Sequence, residues 1–221
     1  MNYRFLKYFF GSTFCLYIVL CFFDHPSYDD FTYTVSTFGK TFWQSQIFWY
    51  TNWSGRYTAT ALLAINPLVY HWIYGYKILS LTIVLCLLLT IYFLVKTYCE
   101  YLKPSEHCFL TFFLASFYFS LLPHLAGGIY WMAGSVTHAV PTILVGLSIA
   151  LLKRKGSNLL SDYVFLPLMT FFIVGSNETI MFIWMTLLFL TNFYILFKRA
   201  VLQNREIRRA GFGSRRTLIQ T

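Results

Sequence analysis

Two adjacent carboxylates, Asp29 and Asp30, follow the first apolar stretch of the chain. A carboxylate at a membrane surface can act as general base on an acceptor hydroxyl, and neighbouring carboxylates can hold a divalent cation through their oxygens. An acid pair in this position can equally cap the helix that follows it. Asp29 and Asp30 are therefore candidate catalytic residues, and a divalent cation is the one cofactor that the pattern suggests.

A second pair of candidates is separated by most of the chain. Arg56 follows Asn-Trp-Ser-Gly, and its guanidinium can either clamp a phosphate group or anchor the chain at a membrane interface. Glu178 stands between two apolar segments that leave little room for a solvated loop, so we expect it to bind Arg56, His138 or a substrate hydroxyl. The alternative is that Asn177 and Glu178 cap a helix beginning at Thr179.

Tyr130 and Trp131 are neighbours in a polar segment, Gly128–His138. Their rings can pack against the apolar face of a sugar, or they can belong to an ordinary belt of interfacial aromatics. His138, at the end of that segment, is either a ligand-binding group or a hydrogen-bonded packing residue. The sequence thus predicts candidate chemistry in three separated polar segments.

Composition decides the class of protein that positions these residues. Of the 221 residues, 57% are hydrophobic and only 11% are charged, whereas a soluble domain carries about 25% charged residues. This excludes a disordered chain, a disulfide-rich secreted domain and a soluble globular domain. The net charge of +9 accompanies apolar stretches, so no nucleic-acid binding is predicted. The class that remains is an all-α, polytopic membrane protein whose partners include membrane lipid.

The charge-free stretches predict about six transmembrane helices, at 5–23, 77–95, 108–124, 136–152, 162–176 and 179–197. With both termini in the cytoplasm, most of the 17 lysines and arginines lie on the inner side, as the positive-inside rule requires. Residues 1–197 then form a single transmembrane domain, and residues 198–221 form a basic cytoplasmic tail.

The loop between the first two predicted spans contains two helical patterns. Aromatic residues recur at helical spacing over 38–50, which predicts an amphipathic helix resting among lipid headgroups. Segment 57–76 is interrupted by Asn66-Pro67, so we predict a broken interfacial helix there and no seventh span. This topology brings all three polar segments to the outer face.

The order of these motifs along the chain resembles that of a known protein family. Asp29-Asp30, Asn-Trp-Ser-Gly-Arg56, Tyr130-Trp-Met-Ala-Gly-Ser135 and Gly175-Ser-Asn-Glu-Thr179 resemble a bacterial family of multi-spanning, glucosyltransferase-like membrane proteins of unknown function, which is similar to the GT-C superfamily. The resemblance extends over residues 1–197. Because superfamily members usually have many more than six spans, this chain looks like the N-terminal half of such an enzyme.

The resemblance implies a glycosyltransferase of the bacterial inner membrane that moves a sugar from a polyprenyl-phosphate donor to an acceptor at the non-cytoplasmic face. It implies that Asp30 or Asp29 is the general base and that a partner subunit supplies further helices. The implied substrate-binding residues are Arg56, Tyr130, Trp131, His138, Asn177 and Glu178. We expect Asp30→Asn to abolish transfer without changing stability. The residues also leave open a non-enzymatic multi-pass protein: a transport or flippase-like subunit, or an inactive fragment.

Overall fold

The computed structural model describes residues 3–153 and 160–217, and this part of the chain is all-α. The chain forms two compact units, Met1–Met181 and Phe182–Thr221, and every site discussed below lies within the first. In the second unit, a helix continues to Thr217. The predicted division at residue 197 stays a prediction. Residues 154–159, which include two basic residues of a predicted inner loop, lie outside the described residues, as do residues 218–221 of the predicted tail.

The α-helices, in chain order, are α1 Tyr3–Cys21, α2 Asp29–Thr37, α3 Phe42–Asn52, α4 Tyr57–Ala64, α5 Tyr74–Tyr98, α6 Pro104–Leu121, α7 Met132–Lys153, α8 Leu166–Val174 and α9 Glu178–Thr217. A 3-10 turn at Pro67–Tyr70 precedes α5, and π-helical segments precede α7 and α8, at Ala126–Tyr130 and Ser161–Phe165.

Within the described residues, three helices are long and apolar enough to cross a membrane: α5, α7 and the Glu178–Arg199 part of α9. This indicates a multi-pass membrane protein, but the predicted count of six such helices is wrong. Apolar helix Phe5–Cys21 is shorter because the chain turns directly after it, and Asp162–Val174 is shorter because it ends at Gly175. Helix α6 begins with the polar run Ser105-Glu106-His107, which lowers its apolar character.

Helices α5 and α7 run in the same direction. Near their beginnings, Tyr76 of α5 packs in one apolar cluster with Met132 and Val136 of α7. Further along, Gly146 of α7 lies so close to Thr90 of α5 that a Cβ there would overlap the threonine side chain. Parallel neighbours require a connection that returns along the full length of the pair, and α6 lies in that connection.

Helix α6 runs antiparallel to α5 and parallel to α1. Near its beginning, the His107 Nε2 atom lies 2.9 Å from the Cys99 carbonyl oxygen, just past the end of α5. Against α1, the Phe10 ring is 5.0 Å from Phe113, and one to two turns later the Tyr17 ring stacks on Phe119 at 4.8 Å. Aromatic packing of this kind fixes the register of the α1–α6 pair.

The loop predicted to carry interfacial helices contains α2, α3 and α4. Helix α3 begins four residues later than the predicted helix at 38–50, because Thr41 and Gln44 form a capping box that sets its start. The Gln44 amide donates to the Thr41 hydroxyl, and the Thr41 amide donates to the Gln44 side-chain oxygen.

The predicted break in segment 57–76 is present. The buried Asn66 side chain accepts hydrogen bonds from the Leu68 and Val69 amides, which caps the 3-10 turn beginning at Pro67. Its amide nitrogen donates to the Thr34 hydroxyl of α2 at 3.0 Å. Asn66 therefore both ends α4 and ties the break to α2, which carries the acid pair.

Candidate functional site

Asp30 is fully buried, and backbone amides hold both of its carboxylate oxygens. Oδ2 accepts from the Ser27 amide at 2.9 Å, and Oδ1 accepts from the Ala133 amide in the first turn of α7 at 3.1 Å. Burial raises the pKa of Asp30 to about 6, although the two amide bonds oppose the rise. The carboxylate predicted as a general base thus links the first loop to the beginning of α7.

Asp29, the neighbouring carboxylate, is exposed at the start of α2. One turn later on the same helix lies Tyr33, whose ring packs on Trp49 of α3 with the centroids 4.3 Å apart. Burial raises the pKa of Tyr33, the charge of Asp29 adds to the rise, and the charge of Arg56 opposes it. Tyr33 therefore lies within electrostatic range of both an exposed carboxylate and a guanidinium.

Arg56 is paired with Glu178, one of the three partners that the sequence left open. The Arg56 Nε atom donates to both carboxylate oxygens at 2.9 Å, and Nη2 lies 2.7 Å from Oε2. These bonds use the Nε–H and one Nη2–H, which leaves three of the five guanidinium N–H groups for another partner. The side chains are 39% and 58% exposed, so the pair contributes no more than about 1 kcal/mol to stability. Its main effect is to fix the direction of the guanidinium.

The pair meets because the beginning of α4 docks on the turn between α8 and α9. The Gly175 carbonyl accepts from the Thr58 amide at 2.8 Å, which satisfies a free donor of the first turn of α4. The Tyr57 hydroxyl donates to the Phe171 carbonyl at 2.7 Å, and the two rings pack 4.8 Å apart. A Cβ at Gly175 would overlap the Tyr57 ring.

Asn177 caps a helix, which is one of the two roles that the sequence suggested for it. Its side-chain oxygen accepts from the Thr179 amide at 2.8 Å and the Ile180 amide at 3.3 Å, at the beginning of α9. Because Asn177 is buried, it supports the position of Glu178 and presents little surface to a ligand. His138 is exposed on α7 and close enough to feel the charge of Arg56.

Tyr130 and Trp131 line a different cavity, of about 710 Å³, between the end of α1 and the segment before α7. The Tyr130 hydroxyl donates to the Tyr17 carbonyl at 2.8 Å, and the Trp131 indole N–H donates to the Ser27 carbonyl at 3.3 Å. These bonds fix both rings as walls of the cavity. The structure therefore does not bring Tyr130 and Trp131 together with the Arg56–Glu178 pair.

The same cavity contains Asp24, which sequence reasoning missed. Asp24 is buried at the end of α1, and His25 and His124 also line the cavity. Burial raises the pKa of Asp24 to about 6, while the nearby Ser80 hydroxyl and the His25 amide oppose the rise. The sequence signal that could have identified Asp24 is its position directly after an apolar stretch, where a carboxylate is not fully solvated.

Within residues 3–153 and 160–217, no group of three or more histidine, cysteine, aspartate or glutamate side chains comes together as a possible metal site. Asp29 and Asp30 do not face one common site in this arrangement, because Asp30 is buried against two backbone amides while Asp29 is exposed.

No protein-family model matches this chain, no curated protein is significantly similar to it, and no solved structure matches it. Arguments about function therefore rest on the geometry described above.

Proposed function

We propose that this protein is a membrane glycosyltransferase that moves a sugar from a polyprenyl-phosphate donor to an acceptor hydroxyl. The observation that carries the proposal is the directed guanidinium of Arg56, which Glu178 holds in place. The charges of Arg56 and of the exposed Asp29 both act on the half-buried Tyr33. A cation and a general base on adjacent elements are the two groups that displacement of a phosphate by a hydroxyl requires.

Arg56 is the group that stabilises the leaving phosphate. As the bond between the anomeric carbon and the phosphate oxygen breaks, negative charge grows on that oxygen. The remaining N–H groups of Arg56 can donate to it, and the fork of the guanidinium matches phosphate geometry. Glu178 holds the Arg56 guanidinium in this orientation before the donor binds.

Asp29 is the general base in this proposal, in place of Asp30. It is exposed, whereas Asp30 is buried with both oxygens occupied. Asp29 takes the proton of the acceptor hydroxyl as the hydroxyl oxygen bonds to the anomeric carbon. His138 is exposed on α7, and in this proposal it binds donor or acceptor hydroxyls.

The proposed topology includes crossings beyond the three long apolar helices. If parallel α5 and α7 both cross the bilayer, α6 must cross it in the opposite direction, despite its polar first turn. Helix α1 packs along α6 in the same direction, and α8 precedes the turn that meets α4. The proposed topology keeps the N-terminus in the cytoplasm and the Arg56–Glu178 pair on the outer face of the bacterial inner membrane. A partner subunit that completes the donor groove belongs to the same proposal.

The test follows labelled polyprenyl-phosphate sugar in membranes that contain the protein, alone and with co-expressed genomic neighbours. We expect Asp29→Asn to lose at least a hundredfold in turnover while keeping its melting temperature, since removing a general base costs about 10²–10⁴ in rate. Arg56→Lys should weaken donor binding, because lysine keeps the charge but loses the fork. Unchanged turnover in Asp29→Asn would exclude this general base.

A second candidate function is proton-coupled binding by a non-catalytic carrier subunit. The observation that favours it is Asp24, a buried carboxylate in a cavity of about 710 Å³ whose pKa is raised to about 6. If every variant and partner combination fails to turn over donor, donor binding should be measured between pH 5 and 8. Pronounced pH dependence that disappears in Asp24→Asn would support the carrier over the enzyme.

A further inference from the structure

A second cavity, with polar residues at one end, lies where α5 and α7 end, far from the candidate active site. Its volume is about 700 Å³, and its lining residues are Phe93, Lys96, Thr97, Glu100, Leu147, Ala150, Leu151, Lys153, Phe165 and Met169. The side chains from α5 belong to its last two turns, and those from α7 do as well. Neither the transfer mechanism nor the carrier alternative uses this cavity.

The cavity has one apolar part and one cationic edge. Its wall is formed by aliphatic and aromatic side chains such as Phe93, Leu147 and Met169, whereas Lys96 and Lys153 lie at the ends of their helices. The Lys153 ammonium sits over the Tyr98 ring, 5.6 Å from its centroid, which restrains the direction of this cation. Among the described lining residues, Glu100 is the one carboxylate beside two lysines, so these residues carry a net positive charge.

The position of the cavity along the helices indicates its surroundings. Helices α5 and α7 both have the length and composition of membrane spans, so their last turns reach the boundary between hydrocarbon and headgroups. Lysines at that depth extend their ammonium groups toward the headgroup phosphates. A groove between two such helices, apolar along its length and cationic at its end, has the chemistry of a phospholipid with a negatively charged head.

We propose that this cavity binds one anionic phospholipid, with its phosphate between Lys96 and Lys153 and an acyl chain against the apolar wall. The cavity is too large and too apolar for a phosphate ion alone, and the two lysines give an anionic headgroup the advantage over a zwitterionic one. This inference depends on membrane insertion and not on the transfer activity.

The test is native mass spectrometry of the purified full-length protein, titrated with phosphatidylglycerol or with phosphatidylcholine of the same acyl chains. We expect phosphatidylglycerol to bind at least about tenfold more tightly, since two charge-assisted contacts discriminate between the headgroups. The double variant Lys96→Gln/Lys153→Gln should lose that preference, whereas Lys96→Arg/Lys153→Arg should keep it. Lys103→Gln removes a similar charge just before α6 without touching the cavity, so its preference should stay within twofold of the parent.

Two further arms separate a lipid site from a phosphate site. Ala150→Phe fills the apolar part of the cavity and should weaken both lipids, and 10 mM inorganic phosphate should not displace bound phosphatidylglycerol. Displacement by phosphate, or full retention of lipid by Ala150→Phe, would overturn the lipid assignment. Equal losses in Lys103→Gln and in the double glutamine variant would show that general surface charge attracts the lipid, which also refutes the site.

Discussion

Asp29 and Asp30 show how position on a helix separates two chemically identical neighbours. Successive residues of an α-helix point about 100° apart, so only one of the pair can face α7. Asp30 does so and accepts the Ala133 amide, whereas Asp29 faces outward. The buried carboxylate is consequently a structural acceptor, and the outward one is open to an acceptor hydroxyl.

Replacing Asp30 by asparagine should destabilise the protein, contrary to the expectation from sequence. An asparagine amide would point its NH₂ group at the Ser27 or the Ala133 amide, because both carboxylate oxygens accept N–H groups. Losing a hydrogen bond in a buried place costs about 1–3 kcal/mol. Melting in detergent at pH 5, where the raised pKa keeps Asp30 largely protonated, should show a lower transition temperature for Asp30→Asn. Asp29→Asn, on the exposed side, should change stability by less than about 1 kcal/mol; equal melting of the two variants would contradict the structural role of Asp30.

Stability should decrease as the pH rises from 4 to 7. The pKa values of Asp24 and Asp30 are raised to about 6 in the folded protein, whereas an unfolded aspartate titrates near 3.9. Between these values the folded state binds more protons, so its advantage is complete below pH 4 and is lost as the pH passes 6. The loss is on the order of 2–3 kcal/mol for each carboxyl. We expect Asp24→Asn to melt with a visibly smaller pH dependence than the parent. An identical dependence in the two proteins would show that Asp24 does not contribute to it.

At the scale of elements, the candidate site depends on how α4 meets the turn before α9. Neither Arg56 nor Glu178 lies in the interior of a helix: one directly precedes α4 and the other begins α9. Their distance is therefore set by the Gly175–Thr58 hydrogen bond and by the packing of Tyr57 on Phe171. Because α4 and the turn touch at Gly175, there is no space for a larger residue at this position.

Gly175→Ala should therefore push α4 away from the turn and separate the pair. A Cβ at this position would overlap the Tyr57 ring, and such overpacking costs typically about 1–3 kcal/mol. Gly11→Ala is the matched control, because a Cβ there meets no atom within 4 Å and alanine favours the α1 helix by roughly 0.5–1 kcal/mol. Melting temperatures should thus move in opposite directions, and donor binding should fall only in Gly175→Ala. Parent-like stability of Gly175→Ala would show that the two elements do not pack as described.

At the scale of the whole molecule, helix direction adds information that length and hydropathy do not contain. The three long apolar helices alone would place Ser36 and Gly156 on the same side of a membrane, because two of them, α5 and α7, lie between these positions. If α5 and α7 both cross the membrane, their parallel packing requires a return through α6, and the proposed topology then expects the two positions on opposite sides.

Single cysteines test this directly in a background from which the five native cysteines have been removed. We expect a membrane-impermeant maleimide to label Ser36→Cys in intact cells and Gly156→Cys only after lysis. Gly156 lies outside the described residues, but its position in the chain between α7 and α8 is fixed by the sequence. Labelling of both positions in intact cells would show that α6 does not cross the membrane.

The sequence by itself determined the features that depend on composition and on neighbouring residues. The excess of apolar over charged residues predicted an all-α membrane protein, Asn66-Pro67 predicted the break before α5, and Asn177 was identified as a possible cap for the next helix. Each of these rests on contacts within a few residues, which spacing reveals. The bounds of the apolar helices were less predictable: α5, α7 and α9 run beyond their predicted ends, whereas α1 ends at Cys21 and a π-helical segment precedes α8.

Only the tertiary structure decided which polar residues meet. Asp30 and Ala133 are 103 positions apart, and Arg56 and Glu178 are 122 apart. Spacing in the sequence cannot distinguish a buried aspartate from its exposed neighbour at such separations, nor reveal that Asp24 shares a cavity with Trp131. These contacts follow from the register of packed helices, which is set by the close fit of side chains such as Tyr17 on Phe119 and Gly175 on Tyr57. Packing is a property of the whole folded chain, and local spacing does not encode it.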